Sequence, residues 1–164
     1  MKLTVKSGTL NPFFVALVVA LTLLAPTSEA AAKKDKDPRI AKAQELFERY
    51  VTLEQSFNPA IANLYSDDAV IRNKRTSADG DVRETETPAL KHKEKIRVAM
   101  PFAKARGDVN GYTEIAYTVE GDGVRITAQR FSERKKSFTP ISILVKPNSS
   151  GEWLIHEEIT ESQS

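Results

Sequence analysis

Cysteine is absent from the 164 residues. No disulfide, thiol nucleophile or lipid-modified cysteine is available, so a folded domain must hold itself together by burial alone. Histidine is scarce: His92 and His156 are the two imidazoles, which rules out a histidine-rich metal site. The seven glycines form no phosphate-cradling loop, and no metal-ligand spacing occurs, so the sequence calls for no cofactor and no metal. An excess of one charge is missing as well. Setting aside Lys2, Lys6 and Glu29 turns the 24 basic and 22 acidic residues into 22 and 21, a balance that attracts no nucleic acid.

What is present fits one globular domain behind a removable leader, with 40% hydrophobic and 28% charged residues. Lys2 and Lys6 precede an apolar stretch over 12–24, and Ser28-Glu29-Ala30-Ala31-Ala32 follows with small residues at cleavage spacing. This is the pattern of a bacterial-type signal peptide over 1–30, cut after Ala30 or Ala32. The apolar stretch ends before Pro26 and falls short of the about 18 residues that a membrane span requires. The expected protein is therefore exported, periplasmic or secreted, with no stable membrane insertion after cleavage. Residues 31–37 are small and charged and read as a flexible lead-in to a domain over 38–164.

Asp37-Pro38 is a helix start, with Asp as N-cap and Pro at the first helical position, where its missing N–H costs nothing. Ile40, Ala43, Phe47, Tyr50, Val51 and Phe57 then recur at helical spacing, predicting a helix to about residue 56. Asn58-Pro59 repeats the signature and opens a short helix with Ile61, Leu64 and Tyr65 on one face, closed by Asp67-Asp68. Extended arms over 69–76 and 82–87 flank a turn over 77–81 containing Asp79-Gly80, and their polarity suits an edge hairpin. Thr87-Pro88 starts a second long helix to about residue 105, which Pro101 should kink or interrupt and Gly107 should close. Strands over 112–120, 124–131, 138–146 and 153–160 complete a meander.

The long helix, the short helix, the hand-off LYSDDAVI over 64–71 and the closing run of four strands together resemble the nuclear transport factor 2-like superfamily. Ketosteroid isomerase and polyketide cyclases share that cone fold. The resemblance implies an α+β architecture in which a curved, mostly antiparallel sheet packs on three helices from the N-terminal half around a central pocket. It also implies a homodimer through the outer face of the sheet, where Phe131, Phe138, Pro140, Leu144 and Leu154 would lie. The fold hosts enzymes, binders and scaffolds alike.

Pairing Val119 with Val124, Phe131 with Phe138 and Val145 with Trp153 gives one nearly apolar face. Thr113, Tyr117, Arg130, Thr139 and Glu157 are the polar residues stranded on it. Arg130 and Glu157 lie diagonally across one strand in this register. They form either a structural ion pair or the polar wall of a pocket, since an unpaired buried charge costs several kcal/mol. Tyr50, Tyr65 and Tyr117 are candidate phenolic donors to the same cavity, with Thr113 beside them. The face offers no Asp, so the carboxylate, tyrosine and protonated-aspartate set of ketosteroid isomerase is not carried over. His92 falls in a charged helix run and His156 on the outer face. The expected role is binding a small, mostly apolar ligand with one polar end. Two rivals stand beside it. One is an isomerase-, cyclase- or hydrolase-type enzyme with Glu157 as base and Arg130 and a tyrosine as oxyanion donors. The other is a dimeric interaction or accessory module of the cell envelope.

Overall fold

The structure, a computed structural model, describes residues 37–163; the expected signal peptide and nearly all of the lead-in lie outside them. Helix α1 (Pro38–Gln55) begins where the capping pattern places it. The Asp37 carboxylate accepts from the Arg39 backbone N–H at 3.0 Å and pairs with the Arg39 guanidinium at 2.7 Å. The 3-10 helix (Pro59–Leu64) repeats the device, Asn58 Oδ1 accepting from Ala60 N–H at 2.9 Å. That helix stops before Asp67-Asp68. Tyr65 is already extended and pairs with Ile155, which starts strand β1 (Tyr65–Thr76) four residues earlier than its polarity suggests.

Strand β2 (Val82–Pro88) returns alongside β1 and leads into α2 (Ala89–Arg106). The helix is not interrupted at Pro101 and runs on to Arg106. Pro101 and Arg97 are exposed, so water can satisfy the carbonyl that the proline leaves without its helical partner. Gly107 closes the helix in the left-handed conformation, φ 60°, its N–H shared between the Ala103 and Lys104 carbonyls.

Strands β3 (Asn110–Glu120), β4 (Gly123–Ser132), β5 (Ser137–Pro147) and β6 (Trp153–Gln163) form the meander. The six strands make one sheet in the order β2-β1-β6-β5-β4-β3, antiparallel except for the β1–β6 pair. Helix α1 packs against β3, β4 and β6, while α2 packs against β1, β2 and the 3-10 helix. Three rows of inner side chains build the core: Val124, Val145 and Ile155; then Ile126 and Ile143; then Ala128 and Ile141. Each large aliphatic residue contributes about 2 kcal/mol by burial. Phe47, Leu46 and Ala43 of α1 cover them.

The expected pairings Val119–Val124 and Phe131–Phe138 are observed. The third is corrected: Trp153 pairs with Pro147 and Ile155 with Val145. The ladder then slips by one residue at His156, so Glu157 pairs with Leu144 and Glu158 with Ile143. A second slip in β3 surrounds Glu114, a non-glycine residue at φ 54°. Each bulge inserts one residue and exchanges the faces beyond it. Glu157 is therefore on the outer face and Glu158 on the inner, while Thr113 is exposed and Tyr112 takes the inner place opposite Arg130.

On the outer face Glu157 accepts from Arg125 Nη1 at 2.5 Å and from Arg72 Nη1 at 3.3 Å. Arg125 also grips both oxygens of Glu120, at 2.8 and 2.9 Å. The Glu157 and Arg125 side chains keep 18% and 19% of their surface in solvent, so water screens the pair. Replacing Glu157 by Ala is expected to cost about 1 kcal/mol in urea unfolding, and less at high salt. A loss of several kcal/mol that salt leaves untouched would place Glu157 in the interior instead.

Candidate functional site

The inner face carries a row of polar side chains running from the closed end of the cone to its mouth. At the closed end Glu158 is only 5% exposed, and the Tyr65 hydroxyl donates to its Oε2 at 2.5 Å. Burial pushes the Glu158 carboxyl above its ordinary value of 4.5, with the Tyr65 hydrogen bond and the Arg130 charge only partly offsetting it. Burial likewise pushes the Tyr50 and Tyr65 phenols far up, so both stay neutral donors. The His92 ring stands edge-on to Tyr65, centroids 4.9 Å apart. His92 and His156 are both half-buried and each has an Nε2 atom shut off from water without a partner. Burial, with Lys95 adding for His92 and Lys146 for His156, pulls both imidazoles down and favours the neutral rings.

Helix α1 supplies the middle of the row because Phe47, Tyr50 and Glu54 share one face at steps of three and four. Phe47, Tyr50 and Tyr112 form a ring cluster with centroids 5.4–6.2 Å apart. Glu54 accepts from the Tyr112 hydroxyl at 2.7 Å and from Asn110 Nδ2 at 2.9 Å. Burial pushes its carboxyl up, and those two hydrogen bonds oppose the shift.

Arg130 stands at the mouth, between Tyr112 on β3 and Thr139 on β5. Among the described residues no carboxylate lies within ion-pair distance of its guanidinium and no group accepts a hydrogen bond from it. Burial alone would pull Arg130 down, but Tyr50, Tyr112, Glu158 and Glu54 around it more than compensate and hold the charge. The guanidinium lines a cleft of about 240 Å³ together with Glu54, Thr139 and the apolar Phe57, Met100 and Ala103. Phe57 sits in the left-handed region at φ 55°, uncommon for a bulky residue. It is held there by the helix end, where Asn58 N–H reaches the Leu53 carbonyl at 2.8 Å. On the rim Arg134 is neutralised by Asp108 at 3.1 Å.

Of the residues singled out in the sequence, Tyr50, Tyr65 and Arg130 converge on this row. Tyr117 is half-buried on the inner face opposite Ile126, with Glu48 as its charged neighbour, away from the cleft. Thr113 and Glu157 are turned outward, so the diagonal Arg130–Glu157 pair does not form: the slip at His156 separates them. Glu54, Tyr112 and Glu158 complete the row without having been singled out. Glu54 was signalled by the α1 stripe it continues; Tyr112 and Glu158 are hidden by the two bulges. Glu158 and Tyr65 are hydrogen-bonded to each other and do not line the cleft, whereas Arg130 does.

No protein-family model matches the chain, and no curated protein matches it. Solved structures do. A nuclear transport factor 2-like protein with a cystatin-like fold from Novosphingobium aromaticivorans superposes with a TM-score of 0.51 at 16% identity, covering 84% of this chain and 90% of that one. A proposed ketosteroid isomerase from Shewanella frigidimarina gives 0.51 at 19% identity, covering 73% and 94%. A proposed dehydratase of the nuclear transport factor 2-like family from Streptomyces avermitilis gives 0.51 at 10% identity, covering 76% and 96%. The chain has the nuclear transport factor 2-like fold. At these identities the likeness establishes the architecture and leaves the chemistry to the residues themselves.

The raised Glu158 carboxyl makes stability depend on pH. The folded state disfavours the ionised acid, so this contribution is fully present below 4.5, the ordinary value, and is lost as pH rises through the folded one. Glu158→Gln keeps an acceptor for Tyr65 and cannot ionise. The variant is expected to gain stability relative to the parent as thermal melts move from pH 4.5 towards pH 8. Since both proteins keep His92 and Glu54, their titrations cancel in the difference. A parent-to-variant gap that does not change with pH would show Glu158 to be solvated.

Proposed function

We propose that this chain is an exported protein that binds a small, mostly apolar ligand with one polar end, held in the cleft at the mouth of the cone. The observation that carries the reading is the cleft's mixed wall: Phe57, Met100 and Ala103 on one side, Arg130 and Thr139 on the other. The rest of the lining, Glu54, Asp108, Asn110, Ser132, Arg134 and Lys135, is polar, so a ligand would meet a small apolar patch beside a larger set of polar groups. The enzymatic alternative with Glu157 as base loses its geometry, because Glu157 faces the other side of the sheet and is engaged by Arg125 and Arg72. Native mass spectrometry of the protein isolated from its producing cells checks the binding reading. A discrete small-molecule adduct is expected, absent from an Ala103→Trp variant that fills the cleft. A bare parent that also shows no thermal shift with any small amphiphile would sink it.

A second reading rests on the outer face and is compatible with the first. The Phe131 and Phe138 rings lie 4.9 Å apart, and Phe138 is 62% exposed. We infer that this patch, with Pro140, Leu144 and Leu154 beside it, joins two copies of the chain. Sedimentation should give a dimer for the parent and a folded monomer for Phe138→Ser. A monomeric parent at high concentration would refute it.

A further inference from the structure

Arg130 makes no ion pair among the described residues, although Glu158 and Glu54 lie near enough to hold its charge, and that bears on the charge of the ligand. Glu54 lines the same cleft, yet its carboxylate is directed to Tyr112 and Asn110. Asp108, also in the lining, is committed to Arg134. Glu158 and Glu54 influence Arg130 only across a gap, with no hydrogen bond to either. A guanidinium presents five donors in a planar fork that matches a carboxylate through two parallel bonds. With no protein acceptor, and with none of its nitrogens sealed off from water, the fork is free to receive a ligand from the cleft.

From this unpaired guanidinium in a small cleft we infer that the ligand is a monocarboxylate, its acid group on Arg130 and its apolar body against Phe57, Met100 and Ala103. The inference rests on the binding role proposed above and adds the ligand's charge, orientation and size. A neutral carbonyl or hydroxyl would occupy one fork position, whereas a carboxylate takes both and pairs directly with the charge. The Thr139 hydroxyl, on the strand position paired with Arg130, supplies a further donor. The volume of about 240 Å³ lies below the about 300 Å³ at which pockets for drug-sized ligands begin, which selects a single ring or a short chain. Of the remaining cations of the lining, Arg134 is paired with Asp108, which leaves Lys135 to draw an anion inward.

Isothermal titration of the protein at neutral pH with benzoate and hexanoate, against benzyl alcohol and hexanol, tests this. The carboxylates should bind at least tenfold more tightly than the alcohols of the same shape, with an affinity that falls as salt is added. Arg130→Gln should erase that preference. Arg130→Lys should keep the preference while binding more weakly, because an ammonium carries the charge without the fork. Melting curves of both variants establish that they are folded, and the Lys variant preserves the test if the Gln variant is not. Equal binding of carboxylates and alcohols by the parent would overturn the anion inference and leave the binding role standing. A preference that survives intact in folded Arg130→Gln would likewise overturn it. Failure of all four probes to bind at millimolar concentration would remove the binding role and the inference together.

Discussion

The organisation of charge in this protein depends on one extra residue in β6. At His156 the ladder with β5 slips, and the strand beyond it turns over. Glu157 then joins Arg125 and Arg72 on the outer face, while Glu158 enters the core under Tyr65. Had the alternation continued unbroken from Ile155, Glu157 would have occupied the inner face together with Arg130. A buried pair could then have satisfied both. The bulge instead leaves Arg130 at the mouth with no acid of its own, and gives the interior an acid that burial inclines towards its neutral form.

The two ends of the polar row differ in kind. At the closed end Tyr65 serves Glu158, with His92 packed against the phenol. Tyr65 and Glu158 satisfy each other with little contact with solvent, which suits them to holding the sheet against the helices. The open end combines a satisfied Glu54 with an unsatisfied Arg130 and places both on a cleft. Phe57, forced into a left-handed conformation by the end of α1, forms part of that wall. An unsatisfied cation, strained backbone and apolar surface meeting at one opening favour ligand capture there over chemistry at the buried acid.

Much of this architecture was legible in the sequence where the signal is local. Asp37-Pro38 and Asn58-Pro59 announce helix starts because capping needs one side chain and one fixed φ, and both caps form. Gly107 ends α2 for a similarly local reason. Strands β4 and β5 could be paired correctly since Phe131 and Phe138 flank a short turn that fixes their register. The bulges at Glu114 and His156 had no comparable signature. A bulge shows only in the partner strand, and one unpaired residue reverses the face of everything after it. Tyr50 and Arg130 were accessible to sequence reasoning because a helical stripe and the β4–β5 turn place them with no bulge in between. Thr113, Glu157 and Glu158 were misplaced because a bulge lies between each of them and the turn from which the register is counted. Pro101 shows the opposite limit: the local rule does not break the helix, which continues to Arg106 with Pro101 on its exposed side.

The fold shared with the solved neighbours supplies the cone, and the residues of this chain decide what the cone holds. The most direct measurement is a crystal structure of the protein grown with benzoate. The expected result is a single benzoate at the mouth, its carboxylate about 2.7–2.9 Å from the Arg130 guanidinium nitrogens and its ring against Met100 and Phe57. A structure in which Arg130 bonds to a carboxylate of the protein itself, with the cleft closed and benzoate elsewhere or absent, would contradict it.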